Sequence, residues 1–196
     1  MEVFMFKKSI LLIPMVLSGC AVPIVGGIGA VGMSAVEDRG LGGVASDQAL
    51  RVRVNYELSD KLFYLHDFEL TVYKGRVLIT GIAPNEKTKF EALRLIKGVS
   101  GVAQVIDGLN IKGEDGFSEY TRDAWMTTKL KPALYADQDI YAPNYVVKTF
   151  DKTIYIFGTA PTVEEQQRVL EHAYEITGVK KVVNLMDVRQ GTPPSK

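Results

Sequence analysis

The chain writes one phrase twice. Residues 78–84 read LITGIAP and residues 155–161 read YIFGTAP, 77 positions apart. Sliding the sequence by that interval keeps residues 70–111 in register with 147–188 without a gap. Gly81 meets Gly158, Ala83-Pro84 meets Ala160-Pro161, Leu93 meets Leu170, and Gly101-Val102 meets Gly178-Val179. Upstream the interval becomes 76. There Asp47 meets Asp123, while Leu50, Val54 and Leu58 meet Met126, Leu130 and Leu134. Recurrence in register is the mark of an internal duplication, so whatever one copy folds into the other must fold into as well.

Each copy predicts the order helix–strand–strand–helix–strand. The i, i+4, i+8 spacing of Leu50, Val54 and Leu58 is one face of a helix, and Asp47 and Asp123 stand where caps would start the two first helices. Alternating segments at 68–73 and 76–81 flank Lys74-Gly75, a hairpin signal. Their counterparts, 146–150 and 153–158, flank Asp151-Lys152. A second helix follows Pro84-Asn85, or Pro161-Thr162, where Thr162 and Glu165 form a capping-box pattern. It ends before Gly101 or Gly178, and a last strand runs over 102–111 or 179–188. In this scheme Gly81 and Gly158 close a strand and the Ala-Pro turns the chain into a helix. The repeated phrase is a structural joint, with no nucleophile or base in it.

The N-terminal stretch has a different character. Lys7 and Lys8 precede an apolar run from Ile10 to Leu17, then Ser18-Gly19, the layout of an export signal. Initiation at Met1 or at Met5 fits this layout, and Met5 would leave Glu2 out of the basic segment. Leu17-Ser18-Gly19-Cys20 has the form of a bacterial lipobox, and Cys20 is the sole cysteine of the chain. The competing reading is a membrane span from Ser9 into Val36. Pro14, Pro23 and the glycines between 26 and 32 weaken it, although spans tolerate both residue types. A disulfide within the chain is impossible and a cysteine-based metal site is not credible. Residues 20–45, with seven glycines, carry no helical or strand period and read as a lipidated N-terminus and linker. The segments are therefore a signal peptide over 1–19, that linker, one module over 46–112, another over 117–190, and a disordered tail over 191–196.

Lys and Arg total 23 against 23 Asp and Glu, which argues against a general affinity for nucleic acid. The histidines, His66 and His172, lie far apart and read as satisfied side chains rather than ligands. No Ser/His/Asp order or phosphate-cradling glycine loop is visible. Glu164-Glu165 fall at a helix start, where they complement the dipole. The expectation is a protein that is not an enzyme and needs no metal or cofactor beyond lipid on Cys20.

The αββαβ order with its terminal Gly-Val-x-x-Val strand resembles the BON domain of bacterial envelope proteins. The lipobox, the Gly/Ala-rich segment with Ala30-Val31-Gly32 and Asp38-Arg39, Arg53-Val54, and the run Asp123-Ala-Trp-Met-Thr-Thr-Lys129 together resemble the dual-BON outer-membrane lipoproteins. The resemblance spans nearly the whole chain. It implies an α+β fold of two tandem modules, each a three-stranded mixed sheet packed by two helices. It also implies palmitate-bearing lipid on Cys20, a place on the periplasmic face of the outer membrane, and phospholipid binding in support of envelope integrity and cell division. Ala21, where inner-membrane retention would favour Asp, agrees with outer-membrane sorting.

Divergence between the copies locates a candidate site. Trp125, the sole tryptophan, replaces Ala49 of the first copy. It sits about 100° from Met126 and about 180° from Leu134 on a wheel of 3.6 residues per turn. Its own face carries Arg122, Thr128, Lys129 and Pro132. An amphipathic ring between cations suits a headgroup zone, so these five residues form the candidate surface for an anionic phospholipid membrane. The bland reading is that Trp125 packs between the copies or along the edge of its own core. Lys87, Lys89, Arg94 and Lys97 form a lesser basic strip that fits a solvated helix face. The alternative function is a protein-interaction module that offers an edge strand or groove to envelope or cell-division proteins.

Overall fold

The computed structural model describes residues 40–62, 68–112 and 120–189. Cys20, the signal segment, His66 and the tail lie outside them. Within them the duplication becomes two αββαβ modules. The first comprises α1 (Gly40–Lys61), β1 (Phe68–Tyr73), β2 (Arg76–Ala83), α2 (Glu86–Gly98) and β3 (Gln104–Ile111). The second comprises α3 (Tyr120–Ala136), a 3-10 turn (Ala142–Asn144), β4 (Tyr145–Phe150), β5 (Thr153–Ala160), α4 (Val163–Tyr174) and β6 (Lys181–Val188). Each sheet runs in sequence order, β1-β2-β3 and β4-β5-β6. The hairpin partners are antiparallel and the strands joined through a helix are parallel, because a parallel pair needs a crossover long enough to return the chain.

The central strands are buried on both faces. Val77 and Ile79 of β2 point to the side covered by α1 and α2, where they meet Leu50, Val54, Leu58 and Ile96. Ile154, Ile156 and Ala160 of β5 do the same beneath Leu130, Leu134 and Val169. The alternate positions meet across the sheets, where Tyr73 and Leu78 pack on Tyr155 and Phe157. The layers therefore run helix, sheet, sheet, helix, with the helices of the two modules on opposite outer sides.

A pseudo-two-fold relates the modules. Asn110 Nδ2 donates to Asp151 Oδ2 at 3.1 Å, and the equivalent pair, Asp187 and Lys74, lies at 3.8 Å. In each case the hairpin turn of one module meets the last strand of the other, as in an isologous dimer written into one chain. The symmetry is imperfect. Arg76 bonds Asp187 at 3.1 Å, Lys74 Nζ donates to Thr159 Oγ1 at 2.7 Å, and Lys148 pairs with Glu69. Gly108 lets the sheets close, since a Cβ there would lie 2.9 Å from the Ile79 carbonyl and 3.0 Å from the Tyr155 hydroxyl.

Four local expectations need correction. Asp47 and Asp123 do not cap helices; both lie inside them and are buried. Each carboxylate accepts the two amides of a hairpin turn on the strand pair beneath. Asp47 takes Lys74 N and Gly75 N at 2.8 and 3.1 Å, and Asp123 takes Asp151 N and Lys152 N at 2.6 and 2.9 Å. The four turn residues have positive φ, so their amides turn toward the helix and need acceptors. Second, α1 begins at Gly40, inside the segment expected to be linker through 45.

Third, Gly81 and Gly158 lie within strands, which continue to Ala83 and Ala160. A Cβ at Gly158 would fall 2.6 Å from the Asn144 carbonyl, so close approach rather than strand closure requires that glycine. Fourth, the capping box is half formed. Thr162 Oγ1 accepts Glu165 N at 3.1 Å, but the Glu165 carboxylate turns instead to Tyr141 N and the Tyr145 hydroxyl, both at 2.8 Å.

Candidate functional site

Helix α3 is fixed by its inner face. Met126, Leu130 and Leu134 are buried against the sheet, Asp123 holds the β4–β5 turn, and Thr127 Oγ1 donates to Thr149 Oγ1 at 2.8 Å. A helix held by both apolar and polar contacts is a rigid platform, so its outward side chains are presented in a defined pattern.

On that outward face Trp125 is 44% exposed. It is not among the residues of the buried cluster between the sheets. Lys129 is exposed, its ammonium 5.9 Å from the indole centroid, within reach of the ring quadrupole. Thr128 is exposed but its hydroxyl donates to the Ala124 carbonyl at 2.8 Å, so that donor is turned to the helix itself. Pro132 is exposed inside the helix. It lacks the N–H that would bond the Thr128 carbonyl, which leaves a polar edge on the same face. Arg122 lies on the first turns of α3, with its side chain outside the described residues. The structure thus brings Trp125, Thr128, Lys129 and Pro132 to one exposed face.

Sequence reasoning missed the flank of this helix. Thr127 and Lys131 line a groove of about 690 Å³ with Ile82, Lys148 and Phe150, between the first module's sheet and α3. Its walls come from both modules, so no pattern within either copy could reveal it. Two members of the basic strip on α2 are engaged: Lys89 donates to the Leu109 carbonyl at 2.7 Å and pairs with Asp107 at 3.0 Å, and Arg94 pairs with Glu91 at 2.6 Å. His172 is a satisfied side chain, its Nε2 2.8 Å from Asp137 Oδ2. That bond, then the Asp139 amide and Arg168, hold the Asp137 carboxyl at about 2, below its ordinary 3.8. Among the described residues no group of three His, Cys, Asp or Glu could hold a metal ion, and no helix is long and apolar enough to cross a membrane.

The BON domain profile matches residues 46–113 and again 122–190, the two modules found in the fold. The chain belongs to the BON-domain family. It is 28% identical over 171 residues to the outer membrane lipoprotein DolP of Haemophilus influenzae, covering 86% of this chain and 88% of that protein. It is 27% identical to the 21 kDa hemolysin of Actinobacillus pleuropneumoniae, over 79% of this chain and 80% of that one. The osmotically-inducible protein Y of Escherichia coli is 26% identical, over 74% and 73%. As a dual-BON protein similar to DolP, the chain has the α+β architecture that the duplication predicts.

Proposed function

We propose that this BON protein is an outer-membrane lipoprotein, anchored through lipid on Cys20 and facing the periplasm, that binds anionic phospholipid through the second module and supports envelope integrity. The observation that carries the reading is the exposed Trp125–Lys129 pair on a helix whose inner face is stapled down. An indole at the headgroup level keeps its ring in the apolar boundary and its N–H wet, and the neighbouring ammonium meets the phosphate.

One cation near an anionic surface contributes about 1 kcal/mol, so the face alone binds weakly. A tether raises its effective concentration to the order of millimolar, at which weak contact suffices. Each buried CH₂ of the anchor adds about 0.8 kcal/mol, so several acyl chains hold durably where one would not. Similarity to an outer membrane lipoprotein over most of both chains supports the same location here.

The test has two arms. A fragment beginning at Gly40 should float with vesicles containing phosphatidylglycerol, and Trp125→Glu should abolish flotation without changing the melting temperature. The full chain should incorporate radiolabelled palmitate and lose it with Cys20→Ser. Flotation unaffected by Trp125→Glu, or a Cys20→Ser chain still labelled, contradicts the proposal.

A further inference from the structure

The groove between the helices differs between the modules. In the first module it has a volume of about 740 Å³, lined by Val52, Arg53, Tyr56, Lys61, Arg94 and Leu95 on α1 and α2. Val52 and Tyr56 are each 68% exposed and place two apolar side chains along this groove. The charged lining is three cations, Arg53, Lys61 and Arg94, against one acid, Glu57.

The second module carries opposite charge at two of these places and keeps a cation at a third, where Arg53 becomes Lys129. Stepping by the two repeat intervals, Lys61 becomes Asp137, Arg94 becomes Glu171 and Gly98 becomes Glu175. There the cleft shrinks to about 170 Å³, spanned by the contacts of Asp137 with His172 and Arg168. The BON fold by itself therefore does not produce an open basic groove; the side chains of the first module do.

We infer that this groove receives an acidic peptide segment of a partner protein, seated by one apolar side chain against Val52, Tyr56 and Leu95. Charge selects the occupant. Lys61 and Arg94 line the same groove, and their present partners, Glu57 and Glu91, are exposed. Exposed pairs contribute little, so an incoming carboxylate can share these cations. Arg53 is held toward the same groove by its bond to the Ser100 carbonyl at 3.3 Å.

Size agrees with the charge. From Val52 to Lys61 a helix rises about 13 Å, enough for a short peptide laid along it. Position separates this surface from the lipid-facing one. The groove lies in the helix layer of the first module, on the other side of the sandwich from α3, so a chain resting on a bilayer through Trp125 leaves it open to the periplasm. The inference stands independently of lipid binding by α3.

The experiment places a photo-crosslinking benzoylphenylalanine at Val52, and separately at Tyr56, of the full lipidated chain in growing cells, with and without Lys61→Glu and Arg94→Glu. The expected result is a protein adduct whose crosslinked segment has more Asp and Glu than Lys and Arg and contains an aliphatic or aromatic residue. Its yield should fall about tenfold or more on charge reversal. A synthetic peptide of that segment should bind the purified chain, lose about tenfold in affinity with Lys61→Gln and Arg94→Gln, and bind Trp125→Glu unchanged. Melting curves of the variants keep a folding defect separate from a binding defect. The inference is overturned by crosslinks to lipid alone, by no adduct, by a neutral or basic segment, or by binding indifferent to the cations in folded variants.

Discussion

Helices α1 and α3 occupy the same place in their modules and teach opposite lessons on their two faces. Inward, the chemistry is repeated: Asp47 and Asp123 each hold a hairpin turn, and Leu50, Val54 and Leu58 match Met126, Leu130 and Leu134 in burial. Outward, Ala49, Val52, Arg53 and Tyr56 stand opposite Trp125, Thr128, Lys129 and Pro132, and little is shared except the cation at one position. Packing against a sheet constrains volume and polarity to within a methylene. Solvent imposes no such constraint, so function can diverge there without loss of the fold.

The comparison can be broken hardest at the seam between the modules. Phe157 is fully buried there with its ring 5.9 Å from Tyr73. Phe157→Ala should destabilise by about 4 kcal/mol in urea unfolding. It should also uncouple the modules, so that one transition becomes two; a single transition with a loss under about 1 kcal/mol would show that the modules are not held by this face.

The next effect tests whether the inward device is the same in both copies. Asp47→Ala and Asp123→Ala should each remove about 3 kcal/mol, since each strips two amides of a charged acceptor. Unequal losses, one large and one near zero, would mean the staple is not shared. A smaller effect falls on the second module alone. The Asp137 carboxyl is held at about 2 against an ordinary 3.8. Its stabilisation is therefore present above the ordinary value and lost as pH falls through about 2. Asp137→Asn should flatten the pH dependence of stability between these values, whereas Lys61→Gln at the equivalent place should not.

Smallest on stability is the outward face. Trp125→Glu should change unfolding free energy by less than about 0.5 kcal/mol, as substitutions on a solvated face do. A larger loss would return Trp125 to a packing role.

Much of this was legible because the duplication doubled each signal. The element order followed from paired patterns, and the place of Trp125 off the buried stripe followed from its angle to Met126. What was not legible depended on contacts distant in sequence. Asp47 and Asp123 look like caps until the turn amides 27 and 28 residues on are seen to point at them. Glu165 looks like half of a capping box until Tyr141 and Tyr145 are brought beside it. In β2, VLITG reads as a strand of uncertain facing because both sides are buried, one by helices and the other by the second sheet. The six glycine-rich residues at the start of α1 have no apolar period, and the helix there extends one already nucleated by the stripe from Leu50.

Since Trp125 is the sole tryptophan, its emission reports on the candidate face alone. Titrating the chain from Gly40 onward with phosphatidylglycerol vesicles should shift that emission to shorter wavelength, and brominated acyl chains should quench it, while phosphatidylcholine vesicles do neither. Emission that stays unshifted and unquenched on anionic vesicles, or that responds equally to both lipids, would contradict binding of anionic phospholipid by this helix.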